Sequence, residues 1–209
     1  MRPSQCGAAL AVALVLNLAL VSLPAHGTVD FDGLSSATEK IVRATVPLVD
    51  EPCDARDARV RRLYRRADKE IRKALEVYGY YAPTIDKALE SKAGCWQARF
   101  QIDRGPRVRL RTVRIGVSGA GQSDARLTGL LTSPDLVVGK GLNQRAYDEV
   151  KATLATQAQR RGYFDGRFVA SRIDVYPEQL AADITIDFAS GERYRFGPVT
   201  LDQSVVEPE

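Results

Sequence analysis

The sequence of 209 residues is poor in the residues that carry most enzyme chemistry, with one histidine, one methionine and three cysteines. The histidine, His26, lies in the N-terminal segment that we expect to be removed. A chain that begins after His26 has no Ser-His-Asp or Cys-His catalytic group and no His-ligated metal site. The sequence therefore predicts that the protein is not an enzyme and that it carries no cofactor or metal.

Long apolar runs are also scarce, and the one that occurs is N-terminal. Residues Ala8–Leu23 are almost entirely apolar, but the run is shorter than the roughly 20 residues of a membrane-spanning helix. Arg2 precedes it and the small residues of Ala25-His26-Gly27 follow it, which is the pattern of a secretory signal peptide. We predict a signal peptide over residues 1–27 with cleavage near Thr28; an uncleaved anchor is the alternative.

Charges nearly balance, since 30 basic residues face 26 acidic ones. This excess is too small to indicate a nucleic-acid partner. Basic residues nevertheless crowd positions 56–73, where a helix is predicted. Contact with anionic lipid or an acidic partner is one interpretation. A solvated helix face, with Asp57, Asp68 and Glu70 as partners three or four positions away, is the other, and we favour it.

An internal repeat organises the chain. Gly79-Tyr80-Tyr81 ends one helical stretch, and Gly162-Tyr163-Phe164 ends another 83 positions later. Each unit closes on a glycine followed by basic residues, at Arg104-Gly105-Pro106-Arg107 and at Ser190-Gly191-Glu192-Arg193, and these glycines lie 86 positions apart. A period of this length corresponds to one small domain.

Each unit follows the order β-α-α-β-β. In the first, apolar residues from Val60 to Tyr78 recur at helical spacing, and Trp96–Ile102 alternates like a half-buried strand. The fold class is α+β: tandem domains with two helices on one face of a three-stranded mixed sheet. We place a capping box at Ser36 and Glu39. An N-cap is predicted at Asn143.

Finer predictions concern turns, core residues and cysteines. The hairpin turn of the first unit is placed at Ser91–Gly94. The aromatic pairs that follow Gly79 and Gly162 are assigned to the cores.

Short connections bring the helix–helix turn and the hairpin turn of the first unit to the same end. Cys53 and Cys95 lie in or beside these turns, so we predict that they form a disulfide after export to an oxidising compartment.

With this order established, the chain resembles the POTRA (polypeptide-transport-associated) region of TamA-type outer-membrane assembly factors, in the superfamily of BamA. The matching segments are Gly79–Ile85, Leu142-Asn143-Gln144, Arg161–Asp165 and Ser190–Gly197. The resemblance implies domain boundaries at residues 28–106 and 107–192, with a third, truncated domain beginning at residues 193–209. TamA-type proteins also carry a C-terminal β-barrel, which this sequence does not contain, so membrane association is expected only through such a barrel.

The resemblance implies a function on the periplasmic side of the outer membrane, with this fragment alone expected to be soluble in the periplasm. Expected partners are a TamB-like protein anchored in the inner membrane and unfolded β-barrel or autotransporter clients, without nucleic acid. The alternatives are a free-standing periplasmic POTRA adaptor and the POTRA region of a two-partner secretion transporter.

The order of elements leaves the second strand of each unit paired on one side only. We predict that extended partner segments add to these edges by β-augmentation. The second unit supplies the better edge, because Pro83 blunts the start of the first. The candidate residues are Ala82, Pro83, Thr84, Ile85 and Asp86 in the first unit, and Arg167, Phe168, Val169, Ala170, Ser171 and Arg172 in the second.

Overall fold

The structure is a computed structural model that describes residues 26–92, 94–198 and 200. Most of the predicted signal peptide, residues 1–25, lies outside the described residues, as do residues 201–209 of the predicted third domain. No helix in the described part of the chain is both long and apolar enough to cross a membrane.

The first unit has the predicted order β-α-α-β-β. Its elements are β1 (Thr28–Asp32), α1 (Ser36–Thr45), α2 (Asp57–Glu76), β2 (Thr84–Lys92) and β3 (Cys95–Asp103), with a 3₁₀ turn at Pro47–Asp50. The strands are ordered β1-β3-β2, with β1 parallel and β2 antiparallel to β3. The helices cover one face of this sheet, where Phe100, Ile71 and Leu75 are fully buried.

The second unit repeats this topology. It contains β4 (Arg109–Ser118), α3 (Ala125–Thr128), α4 (Gln144–Arg160), β5 (Arg167–Tyr176) and β6 (Ala181–Ala189). The strand order is β4-β6-β5, again with a parallel first strand and an antiparallel hairpin. The central strand β6 is buried on its helix-facing side by Ala182, Ile184, Ile186 and Phe188. The fold class predicted from the sequence is confirmed, whereas the exact domain boundaries stay a prediction.

Two β-bulges distinguish the second sheet from the first. The register of β4 shifts between Leu110 and Thr112, and that of β5 shifts between Phe168 and Ala170. In β5 the shift places Phe168 opposite Phe188, on the helix-facing side, and leaves Val169 67% exposed. The bulge is needed because Phe168 and the apolar residues further along β5 lie at positions of opposite parity, and one extra residue restores them to one face.

The two units meet where α2 ends and α4 begins. Gly79 has a φ of +84°, a left-handed conformation, and a Cβ there would approach the Leu142 Cβ to 3.0 Å. The Val108 amide donates to the Gly79 carbonyl at 2.9 Å, and the Gln144 amide of α4 donates to the Val77 carbonyl of α2 at 2.8 Å. The last turn of α2 therefore provides an acceptor for the first turn of α4.

Several local predictions are wrong. The N-cap of α1 is Ser35, which forms a capping box with Thr38, so the predicted box at Ser36 is displaced by one residue. The hairpin turn is shorter than Ser91–Gly94, because Ser91 already pairs with Trp96. The predicted N-cap position of α4 at Asn143 is confirmed, although the Asn143 side chain makes no capping hydrogen bond.

Of the four aromatic residues assigned to the cores, Tyr163 is 3% exposed and confirms its assignment. Tyr80 and Tyr81 are half-buried. Phe164 is 65% exposed, so its assignment to the core is wrong. Phe164 lies in the turn between α4 and β5.

The predicted disulfide is present. Cys53 and Cys95 are bonded, with their Cα atoms 4.6 Å apart, and they join the loop before α2 to the hairpin. Trp96 lies beside this bond and is 7% exposed, and its indole nitrogen donates to the Pro52 carbonyl at 2.9 Å. The disulfide therefore fastens one end of the first unit.

Candidate partner-binding edges

Both candidate edges lie at equivalent places in the fold. In the described residues β2 pairs only with β3, and β5 pairs only with β6, so each has one unpaired side. An unpaired strand side presents amides and carbonyls to any chain that can adopt an extended conformation. The predicted position of these strands at the edges of their sheets is confirmed; whether a partner binds there stays a prediction.

The two predicted segments differ at their ends. Arg167–Arg172 lies entirely within β5. In contrast, Ala82 and Pro83 precede β2, which begins at Thr84, so their placement in the edge strand is wrong. Proline has no amide to contribute to a strand ladder. The Pro83 carbonyl in turn accepts a hydrogen bond from Arg72 at 2.5 Å, which occupies the backbone at this end of the edge.

Lys87 and Ser171 occupy equivalent positions in the two edge strands and determine whether each edge carries an inward-facing charge. Lys87 of β2 lies opposite Phe100, and Ser171 of β5 lies opposite Ile186. Phe100 and Ile186 each lie five positions before the closing glycine of their unit, so Lys87 and Ser171 are equivalent. Both side chains share the helix-facing side of the sheet with their buried partners.

Lys87 places a charge on the helix-facing side of β2. Its ammonium lies 5.1 Å from the centre of the Tyr64 ring of α2. An inward-facing charge and a flanking proline are devices by which edge strands avoid pairing with other chains. Asp86 and Glu90 add exposed charges to the same strand. The edge of β2 is therefore protected.

The edge of β5 lacks an inward-facing charge. Its helix-facing side chains are Phe168, Ser171, Ile173 and Val175, and the three apolar ones are half-buried. From α4, the Lys151 ammonium lies 5.4 Å from the Phe168 ring centre and 5.1 Å from that of Tyr147. An added strand would lay alternate side chains against this apolar row beside α4, while its backbone pairs with β5.

On the opposite, solvent-facing side of the second sheet, two acidic residues pair with arginines. Asp174 and Asp183 lie opposite each other; Arg172 pairs with Asp174 at 2.8 Å, and Arg111 donates two hydrogen bonds to Asp183. The hydrogen bond from Arg111 is the main reason why the pKa of Asp183 is lowered. The guanidinium of Arg111 also lies 4.7 Å from the Tyr176 ring centre.

Four of the nine basic residues at positions 56–73 pair with carboxylates of their own unit. Arg61 pairs with Asp57 at 2.7 Å and Arg72 with Asp68 at 3.0 Å, each four positions apart. Two more pairs, Arg66–Glu70 and Arg59–Glu51, extend the network. These contacts support the interpretation of α2 as a solvated charged face.

Sequence reasoning missed a polar cluster in the second unit. Asp124 caps α3 by accepting from the Arg126 amide at 3.0 Å, and its other oxygen accepts hydrogen bonds from Arg161 and, at 3.2 Å, from the Tyr163 hydroxyl. Burial alone would raise the pKa of Asp124; the donors, Arg161 first, outweigh it and lower the pKa. The signal in the sequence was an aspartate at a helix start.

Comparison with known proteins identifies the first unit. Residues 28–104 match the family described as POTRA domain, TamA domain 1. These residues form a POTRA domain of the TamA type. The second unit has the same element order and the same strand order as this domain.

Solved POTRA structures are also similar to this chain. POTRA3-5 of BamA from Haemophilus influenzae is 19% identical over 81% of the chain, with a TM-score of 0.44. POTRA1-3 of Omp85 from Anabaena is 17% identical over 80% of the chain, with a TM-score of 0.36. The alignments cover 67% and 62% of those two structures.

Proposed function

We propose that the two POTRA domains are a periplasmic docking region of an outer-membrane protein assembly factor, and that extended client or partner segments bind as an added strand on the free side of β5. The TamA-type match of the first unit supports the cellular role. The free side of β5 and its uncharged, half-buried helix-facing row support the binding mode.

The chemistry of this edge suits unfolded barrel proteins. Backbone pairing gives affinity without reading side chains, and a row of half-exposed apolar residues favours strands with an apolar residue at every second position. Strands of transmembrane barrels alternate in this way. We therefore infer that the clients are unfolded β-barrel or autotransporter segments, and that a TamB-like protein is the partner from the inner membrane.

Ser171→Lys tests the binding mode most directly. The substitution copies into β5 the inward-facing charge that Lys87 places in β2, and Ser171 is exposed, so the fold should tolerate it. Affinity for a ten-residue peptide of alternating apolar and polar residues, measured by fluorescence anisotropy, should fall at least tenfold. Ser171→Thr is the matched control, because it keeps strand propensity without charge, and it should bind like the parent.

The reciprocal variant, Lys87→Ser, removes the inward-facing charge from β2. We expect it to add a second, weaker peptide site in the first unit, visible as amide shifts in β2 by nuclear magnetic resonance. If Ser171→Lys binds the peptide as tightly as the parent while remaining folded, strand addition at β5 is wrong.

A further inference from the structure

The two residues that precede β1, His26 and Gly27, belong to the folded first unit. His26 pairs with Pro52 in an antiparallel bridge, and the Gly27 amide donates to the Glu51 carbonyl at 3.1 Å. The Pro52 carbonyl in turn accepts a hydrogen bond from the indole nitrogen of Trp96 at 2.9 Å. These contacts attach the segment before β1 to the loop before α2 and to the start of β3.

The backbone of Gly27 lies directly against the Trp96 ring. A Cβ at position 27 would approach two atoms of the indole to 2.1 Å and a third to 2.5 Å. Carbon atoms in contact lie about 3.5–4.0 Å apart, so no side chain fits there without moving the ring. Trp96 is 7% exposed, and Gly27 covers part of it. The folded unit therefore requires a glycine at position 27.

The sequence offers two sites for removal of the predicted signal peptide, because a small residue precedes the cleaved bond. Gly27 meets this requirement for cleavage before Thr28, and Ala25 meets it for cleavage before His26. Two positions further back the first site has Ala25 and the second has Leu23, so the pattern favours the first. The packing gives a different reason for the glycine, namely the indole ring that lies against it. Its small size is then no evidence for cleavage after it.

We propose that the peptidase site lies between Ala25 and His26, so that the mature protein begins at His26 and keeps Gly27 in its fold. The proposal rests on the predicted signal peptide. Hydrolysis adds one water molecule across the Ala25–His26 peptide bond, leaving a carboxylate on Ala25 and a new amino group on His26. His26 is exposed, so the new charge stays in water. Cleavage before Thr28 would instead remove the Gly27 amide and uncover Trp96.

N-terminal sequencing of the chain exported to the periplasm of an expressing bacterium tests the site directly. The expected first residues are His26, Gly27 and Thr28, so the mature protein retains the one histidine of the sequence. A first residue of Thr28 overturns the proposal. A start at Met1 overturns the predicted signal peptide as well.

Gly27→Ala gives a second, independent readout. Alanine is also small, so processing should continue at either site. If residue 27 is retained, the new Cβ meets the Trp96 ring, and the urea midpoint followed by Trp96 fluorescence should fall by about 1 M. If cleavage removes residue 27, the mature variant is identical to the parent protein. An unchanged midpoint therefore overturns the proposal.

His26→Ala is the matched control, because it changes the neighbouring exposed side chain and keeps the backbone contacts. It should be processed before residue 26 and should unfold at the midpoint of the parent protein. If Gly27→Ala does not fold, N-terminal sequencing of the parent protein still decides the site. None of these measurements depends on peptide binding at β5.

Discussion

The two units share a topology but are stabilised by different interactions. The first has a disulfide, a ten-residue α1 with a capping box, and an edge strand protected by Lys87. The second has a four-residue α3, two β-bulges and a polar cluster of Asp124 with Arg161 and Tyr163. The same strand arrangement is thus stabilised by a disulfide in the unit whose edge strand is protected, and by an ion pair in the unit whose edge strand is unprotected.

The largest expected effect comes from removing the disulfide of the first unit. Cys53→Ser with Cys95→Ser opens a loop of 42 residues. The loop-entropy relation gives up to about 4 kcal/mol of lost stability for the first unit. Trp96, the single tryptophan, lies beside the disulfide, so its fluorescence reports urea unfolding of this unit alone. Amide exchange in β6 should stay unchanged; equal loss of protection there would contradict independent fastening.

In the second unit, the corresponding destabilising substitution is Asp124→Ala. It removes the cap of α3 and leaves Arg161 and Tyr163 without their acceptor. We expect a loss of about 1–3 kcal/mol, measured from amide exchange in β6. Asp124→Asn keeps a capping oxygen and should lose less. Unfolding followed by Trp96 serves as the control and should not move.

A smaller effect tests the corrected helix start. Ser35→Ala should destabilise the first unit by about 1 kcal/mol, because the Ser35 side chain accepts from the Thr38 amide. Ser36→Ala, one residue later, should change the urea midpoint by less than half as much. Equal effects of the two substitutions would show that neither serine caps α1.

The smallest expected effect is a difference between the two units in their stability at acidic pH. The hydrogen bond from Arg59 is the main cause of the lowered pKa of Glu51 in the first unit, and Asp124 also has a lowered pKa. A lowered folded-state pKa stabilises above the ordinary pKa, about 4.3 for glutamate and 3.9 for aspartate. This stability is lost as the pH falls from the ordinary pKa through the folded-state pKa. Because the ordinary pKa of glutamate is higher than that of aspartate, the first unit should begin to lose stability at a slightly higher pH. Urea midpoints between pH 6 and 3 measure it, and Glu51→Gln should flatten the Trp96 profile.

Much of this architecture could be predicted because hydrophobic period and glycine position are local signals. The stripe from Val60, the alternation from Trp96 and the left-handed Gly79 and Gly162 each depend on a few neighbouring residues. The topology followed from short connections, and it brought Cys53 close to Cys95.

What could not be predicted depends on competition between neighbours or on distant contacts. Ser35 and Ser36 are both able to cap a helix, and only the path of the chain selects the first. The bulge at Val169 had a signal, the mismatched parity of Phe168 and Ile173, that was not used. The partnership of Asp124 with Arg161 joins residues 37 positions apart, which no local pattern indicates.

The bulge in β5 also limits how much of a client the proposed edge could hold. Regular pairing with β6 runs from Ala170 to Tyr176, seven residues or about 23 Å of strand. A transmembrane barrel strand has about 9–11 residues. On the proposed binding mode, two to four residues of each client strand would stay outside the ladder. A longer strand could begin to pair with these unpaired client residues and then replace β5 along the client, one residue at a time.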